Sequence, residues 1–117
     1  MNSTIKKALI ILIPIALLAT VPSACIINNP QPEECEVKEV VIASIWEGTS
    51  YDIMFRDQDG DMYYINRGLE QGLTIAELQQ EVLNKKVTLH LPVLLYGTTT
   101  HISQLAVAED IVFTEFD

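Results

Sequence analysis

An alternating run of carboxylates, DQDGD at residues 57–61, is the first feature of the chain that suggests chemistry. Hard cations such as Ca²⁺ bind oxygen ligands of this kind. In an EF-hand loop, however, the glycine follows the third acidic position, and a bidentate glutamate stands at position 12. Here Gly60 precedes Asp61, and the twelfth position counted from Asp57 is Gly68. We therefore predict a solvated Asp-Gly hairpin turn and no metal site.

The two histidines, His90 and His101, fall on the last two predicted strands, and their imidazoles would approach each other if those strands pair. A metal would need further ligands from Asp or Glu, and no spacing indicates them. Ser103 would share a strand face with His101, but no third, orienting group and no glycine elbow accompanies it. We predict no catalytic residues, no metal and no cofactor.

Aromatic and amide side chains are the better candidates for contacts with a ligand. Trp46 and Tyr64 can stack on a sugar ring or fill an interface, and Asn66 and Arg67 can add directional hydrogen bonds. Because side chains alternate along a strand, Tyr63 and Tyr64 point to opposite faces, so one of them belongs to the core. For Arg67 the competing interpretation is an ion pair with a carboxylate.

These candidates must be positioned by a sheet and one helix. Residues 74–84, TIAELQQEVLN, open with a capping box in which the Thr74 hydroxyl accepts from a first-turn amide and Glu77 reaches back to the Thr74 amide. Apolar residues at Ile75, Leu78 and Val82 form one face for burial. The segment predicts a helix of about three turns that ends near an asparagine able to adopt the left-handed conformation.

Alternation with a period of two predicts strands on both sides of this helix. Three strands precede it, near residues 37–46, 51–56 and 62–65, and a fourth begins at residue 87. A last extended segment covers residues 101–116, where the parity of the apolar positions slips, which indicates a bulge or a break into two short strands. The predicted fold is mostly β, with one α-helix between strands 3 and 4.

The N-terminus has the form of a bacterial secretory signal. Lys6 and Lys7 precede a fourteen-residue apolar run at residues 8–21, and small residues lead from there to Cys25. We predict that residues 1–24 are a signal peptide outside the folded domain.

Cys25 decides how the processed chain begins. Residues 23–25 resemble the end of a lipobox, at which bacterial lipoproteins are cleaved and acylated on the cysteine, with Pro22 where that family usually carries Leu. We predict lipidation of Cys25 and attachment to a membrane through it. Two alternatives stay open: ordinary cleavage, which would leave Cys25 to form a disulfide with Cys35, and an uncleaved apolar run that anchors the chain.

Charge and composition constrain the remaining chain. Residues 25–35 are predicted to be an extended tether, and residues 36–117 the folded domain. Without the first 24 residues, five basic residues stand against sixteen acidic ones, a formal net charge of −11. A phosphate backbone needs clustered cations, and only Lys85 and Lys86 are adjacent. We therefore predict no nucleic-acid partner.

The order of three strands, a helix and two strands resembles the OB-fold. The run NKKVTL at residues 84–89 is similar to the entry into the fourth strand of such barrels. The chain also resembles small exported OB-like proteins of Gram-negative bacteria, in which YYINRGL at residues 63–69 would be the distinctive run. The resemblance implies a five-stranded OB-like Greek-key barrel with its helix between strands 3 and 4. It assigns no functional residues. A half-open sheet packed on one helix is the alternative.

Two functions of different classes fit these features. The first is a non-catalytic binding module that is anchored in the bacterial cell envelope, at the periplasm or outer membrane. It would recognise a protein or an oligosaccharide through the outer face of its first three strands, with Trp46, Tyr64, Asn66 and Arg67 as contacts. The second is a structural or assembly accessory that pairs by its sheet edge with a larger exported complex. An enzyme ranks behind both.

Overall fold

The computed structural model describes residues 29–117. The predicted signal peptide at residues 1–24 and the predicted lipidation site Cys25 lie outside the described residues. Within residues 29–117, no helix has the length and apolar character needed to cross a bilayer. Part of the predicted tether is folded, because Pro32–Glu34 form a turn of 3-10 helix and Cys35 begins the first strand.

Seven strands and one α-helix make up the described chain. Three strands and the helix come first, as β1 (Cys35–Glu47), β2 (Ile53–Asp57), β3 (Met62–Ile65) and α1 (Ile75–Val82). Four strands follow, as β4 (Lys86–Leu94), β5 (Gly97–Thr98), β6 (Gln104–Val107) and β7 (Asp110–Thr114). Short 3-10 turns at Thr49–Tyr51 and Gly68–Gln71 join β1 to β2 and β3 to α1.

All seven strands belong to one antiparallel sheet, in the order β3-β2-β1-β4-β6-β7, with β5 paired to β4. The central strand β1 has two different neighbours along its length. Its first half pairs with β4, from Cys35 opposite Pro92 to Val41 opposite Lys86. Its second half pairs with β2, from Ile42 opposite Asp57 to Glu47 opposite Ile53, with an irregularity between Ile42 and Ser44. The predicted bulge in the first strand is therefore present, and it lies where β1 changes neighbours.

The sheet is not a closed barrel, and it has seven strands where five were expected. The two additional strands arise because the chain reverses at two further turns. β4 folds back after Leu94 through Gly97, whose φ of 125° suits glycine, and this adds β5. The last segment breaks into β6 and β7 at Ala108, which has a φ of 54°. The break was one of the two outcomes that the slipped parity predicted.

A single parallel bridge links β3 to the segment that leads into β6. Tyr64 stands opposite His101 in this bridge. The Tyr64 amide donates to the Thr100 carbonyl at 3.0 Å, and the Ile102 amide donates to the Tyr64 carbonyl at 2.8 Å. The bridge therefore holds β3, at one end of the sheet order, against the segment that leads into β6 near the other end.

The helix begins where its sequence signal predicts. The Thr74 hydroxyl accepts from the Glu77 amide at 3.2 Å, and the last helical residue is Val82. Asn84 follows with a left-handed φ of 63°, so the chain turns directly into β4. Leu78 and Val82 are buried, which confirms the predicted inward face. With eight residues, α1 is shorter than the three turns expected.

The core lies between the inward face of the sheet and this helix. Its members are apolar side chains from every major element, namely Val40, Ile42, Ile45, Ile53, Phe55, Tyr63, Ile65, Leu78, Val82, Val87, Leu89, Leu91, Ile102, Leu105 and Phe113. Leu69 and Leu73, from the corner before α1, pack partly buried against it, as does Ile75.

Replacing Leu78 by Ala tests the role of α1 as the element that covers this core. The substitution removes a fully buried side chain, so we expect the free energy of unfolding to fall by about 2–5 kcal/mol. Its neighbour Gln79 is exposed, and Gln79→Ala should change that free energy by less than about 0.5 kcal/mol. Urea unfolding followed by circular dichroism gives both values. Equal effects would mean that the helix does not seal the core.

Candidate functional site

The outer face of β1, β2 and β3 carries a row of large side chains. Trp46 stands opposite Met54, and Met54 stands opposite Tyr64. Ile53 and Phe55 on either side of Met54 are buried in the core, so alternation turns Met54 outward. We call Trp46, Met54 and Tyr64 the aromatic row. All three side chains are half-buried, so each keeps part of its surface open to a ligand.

Arg56 extends this surface beside the row. Its guanidinium carbon lies 5.4 Å from the centroid of the Trp46 ring, a cation–π distance. One of its terminal nitrogens lies 3.6 Å from the Met62 sulfur. Because Arg56 and Met54 are two apart on one strand, they share a face. Arg56 was not among the predicted contacts, although its spacing of two residues from Met54 indicates the shared face.

Tyr64 is held at the end of the row by the bridge to the segment before β6. Its ring meets the His101 ring edge-on, with centroids 5.5 Å apart. Burial, and then the carboxylates of Asp52 and Glu115, raise the pKa of the Tyr64 phenol above its ordinary value. The phenol therefore stays neutral and can donate a hydrogen bond at any physiological pH. A neutral donor on an apolar ring suits contact with a hydroxyl-rich or amide-rich ligand.

Asn66 and Arg67 lie on the corner that follows β3. Arg67 adopts a left-handed φ of 51°, and its amide donates to an Asp52 carboxylate oxygen at 2.8 Å. Its guanidinium makes two 2.6 Å hydrogen bonds to the Glu70 carboxylate. Asn66 is exposed beside it. The ion-pair interpretation of Arg67 is thus confirmed, and the structure sets Asn66 and Arg67 next to the aromatic row rather than within it.

The acidic turn between β2 and β3 is organised from inside by Asp57. This carboxylate is only 3% exposed. One of its oxygens accepts from the amides of Asp59 and Asp61, at 3.0 and 2.9 Å. The other accepts from the Tyr63 hydroxyl at 3.0 Å. The predicted Asp-Gly turn is present, with Gly60 at a φ of 91°, but Asp57 is a buried structural acceptor rather than a solvated residue.

Tyr63 is the member of the tyrosine pair that belongs to the core, as alternation required. Burial is the first cause that raises the pKa of its phenol. Both Asp57 oxygens accept from protein donors, so this carboxylate is engaged in holding the turn itself. Among residues 29–117, no group of three or more His, Cys, Asp or Glu side chains is arranged to hold a metal.

The two histidines make separate contacts. His101 is buried, and its Nε2 lies 2.7 Å from a Glu115 carboxylate oxygen. His90 instead meets the Phe116 ring edge-on, with centroids 5.5 Å apart. Ser103 is fully buried, so no substrate reaches its hydroxyl. The pair of His101 and Glu115 ties the C-terminal segment to the back of Tyr64, which gives it a structural role.

Cys35 lies at the start of β1, and its thiol donates to the Gln31 carbonyl at 3.4 Å. Burial, and then the Glu34 carboxylate, raise the pKa of this thiol above its ordinary value. Less of it is therefore thiolate, the form that reacts. Cys25 lies outside the described residues, so both its lipidation and its disulfide with Cys35 stay predictions.

Comparison of the chain with known protein families, curated proteins and solved structures found no match. The chemistry of the outer face is therefore the guide to function. It offers two aromatic rings, a flexible thioether and an exposed guanidinium on one surface.

Replacing Asp57 by Ala tests whether the acidic turn is structural. The substitution leaves the buried Tyr63 hydroxyl without its acceptor, so we expect the free energy of unfolding to fall by about 1–3 kcal/mol. Asp59 is exposed, and Asp59→Ala should change it by less than about 0.5 kcal/mol. Thermal unfolding with and without millimolar Ca²⁺ should give the same midpoint. A midpoint that Ca²⁺ raises in the native protein but not in Asp57→Ala would reinstate a cation site.

Proposed function

We propose that the protein is a non-catalytic binding module of the bacterial cell envelope. It recognises a protein or an oligosaccharide through the outer face of β1, β2 and β3. The observation that carries this proposal is the aromatic row, which sets Trp46, Met54 and Tyr64 in one cross-strand line. Arg56 adds a cation and hydrogen-bond donors beside the row, and Asn66 and Arg67 border it.

The chemistry of this surface favours ligands with flat apolar faces and hydroxyl or amide edges. Indole and phenol rings stack on such faces and bring a polar edge for hydrogen bonds. The acidic balance of the chain, with sixteen acidic residues against seven basic ones, disfavours a polyanion as the ligand. An uncharged oligosaccharide or a protein segment fits the surface better than a nucleic acid.

The proposal includes an OB-like arrangement of the strands. Three features support it: α1 lies between β3 and β4, β1 pairs with both β2 and β4, and β3 meets the segment before β6 in parallel at Tyr64 and His101. OB-folds bind oligonucleotides and oligosaccharides on the face of strands 2 and 3. The aromatic row crosses the corresponding face here.

Export and a lipid at Cys25 complete the proposal. The basic start, the apolar run at residues 8–21 and the small residues before Cys25 support a secretory signal with a lipobox. A lipid at Cys25 would keep the domain in the envelope and close to a membrane. The domain itself would then act outside the cytoplasm.

A second candidate, an assembly accessory, is favoured by one observation at the edge of the sheet. Among the described residues, β7 pairs only with β6, and its Ile111 side chain is 59% exposed. An edge strand with free backbone groups can accept a strand from another chain. The register shift between Leu105 and Ala106 in the pairing with β7 twists this edge, which works against such pairing.

The single tryptophan allows the binding proposal to be tested directly. We expect Trp46 fluorescence to shift on titration with defined envelope oligosaccharides or peptides. Tyr64→Ala should weaken the binding of an active ligand about tenfold or more, because truncation of a hot-spot tyrosine in a binding surface costs about 2 kcal/mol or more. Tyr96→Ala is the matched control, since Tyr96 is exposed and lies on the turn between β4 and β5, outside the first three strands. Equal affinities for the two variants would exclude the row as the binding surface.

Intact-mass measurement of the protein from bacterial membranes tests the anchor. We expect the mass of a chain that begins at Cys25 and carries acyl groups, with the Cys35 thiol still free to react with an alkylating reagent. Cys25→Ser should abolish acylation, whereas Cys35→Ser should leave it intact. A non-acylated chain with a disulfide between the two cysteines, or an unprocessed chain, would contradict lipidation.

A further inference from the structure

Exposed apolar side chains cluster at the turn between β4 and β5. Val93, Leu95 and Tyr96 are 47%, 71% and 79% exposed. We call these three residues the hairpin tip. No charged residue occurs between Leu91 and Thr100. Contiguous exposed apolar surface of this kind marks a contact with a protein or a membrane.

The hairpin tip lies where the chain enters the domain. Because β1 and β4 are antiparallel, Cys35 at the start of β1 stands opposite Pro92, which directly precedes the tip. The Thr98 hydroxyl donates to the Glu36 carboxylate at 2.6 Å, which fastens the returning arm of the hairpin to the start of β1. An anchor on the chain before Cys35 would therefore hold the end of the domain that carries the hairpin tip. We call this end, with the start of β1 and the hairpin tip, the anchor pole.

The preceding chain is short enough to keep this pole at a membrane. Nine residues lie between Cys25 and Cys35, and the ten steps from one Cα atom to the other span at most about 36 Å when fully extended. A lipid at Cys25 would hold the tip at a high effective concentration near the bilayer. That proximity lowers the entropic cost of a second contact between the domain and the same bilayer.

We propose that the hairpin tip inserts into the interfacial layer of the bilayer that carries the Cys25 lipid. The inference rests on the anchor in the proposed function and adds a second, protein-borne contact to it. Leu95 and Val93 supply apolar surface for the acyl boundary. Tyr96 supplies an aromatic ring with a polar tip, the kind of side chain that is enriched at membrane–water interfaces. The absence of charge in the hairpin avoids the cost of burying an ion.

Charge at this pole determines the kind of lipid. Glu33 and Glu34 lie in the 3-10 turn directly before β1, and Glu36 follows Cys35. These carboxylates repel anionic headgroups, so the tip should insert better into zwitterionic than into strongly anionic bilayers. A basic surface would give the opposite preference.

Depth-dependent fluorescence quenching tests the insertion on the full acylated chain. In a Trp46→Phe background, Tyr96→Trp places one probe at the tip. Ile111→Trp is the matched control, because Ile111 is also exposed and stands at the level of Ala106 and Thr88, about 24 Å along β4 from the tip. Both proteins are reconstituted into phosphatidylcholine vesicles that contain lipid brominated at the headgroup end of the acyl chain.

We expect both proteins to float with the vesicles and the bromines to quench the Tyr96→Trp probe several-fold more than the Ile111→Trp probe. Replacing half of the phosphatidylcholine by phosphatidylglycerol should reduce that difference. In a separate assay on the native background, Leu95→Ser with Tyr96→Ser should speed transfer of the protein between vesicles several-fold. Ile111→Ser should not speed it.

Each contrary result has a distinct meaning. Proteins that float while neither probe is quenched would overturn the tip contact and leave the anchor intact. Proteins that do not float would overturn the anchor, and the tip contact with it. In the non-acylated Cys25→Ser protein, emission of the Tyr96→Trp probe that shifts with protein concentration would assign the tip to a second copy of the chain and overturn its insertion.

Discussion

One extra residue in β1 allows both halves of this strand to turn apolar side chains into the core. Before the irregularity, Val40 and Ile42 point into the core, and after it Ile45 does, so the inward parity changes from even to odd. Ala43 is the unpaired residue that makes this change possible. If Ala43 were instead a regular, paired position of the strand, alternation would turn Trp46 inward and Ile45 outward. The core and the aromatic row thus depend on the same local distortion of the backbone.

Local patterns predicted the elements well because their causes are local. The Thr74 hydroxyl caps α1 by accepting from an amide three residues along the chain, which needs no distant partner. An Asp-Gly pair likewise favours a tight turn through its own backbone preferences. The alternation of Tyr63 and Tyr64 likewise follows from strand geometry alone. For the same reason the slipped parity after His101 indicated a bulge or a break in the last segment, and the structure has a break there.

Long-range features could not be predicted from the sequence, because they depend on pairings between distant residues. The burial of Asp57 requires a tyrosine hydroxyl from the next strand, and nothing in the acidic run distinguishes a buried acceptor from a solvated turn. The two extra strands arise from backward turns whose partners lie elsewhere in the sheet. In the candidate site, Trp46 and Tyr64 were predicted individually, but their common row depends on the registers of two strand pairs that pass through Met54.

The contacts that hold Tyr64 in the aromatic row extend to the C-terminal segment of the chain. Tyr64 is fixed by two backbone hydrogen bonds to the segment around His101, and the His101 imidazole contacts Glu115 behind it. A buried imidazole next to a carboxylate is costly to disrupt, because the loss of either partner leaves the other desolvated. The position of Tyr64 is therefore determined by contacts over a long span of sequence rather than by β3 alone. A surface built on such supports loses little conformational entropy when a ligand binds, which is the property that a small binding module needs.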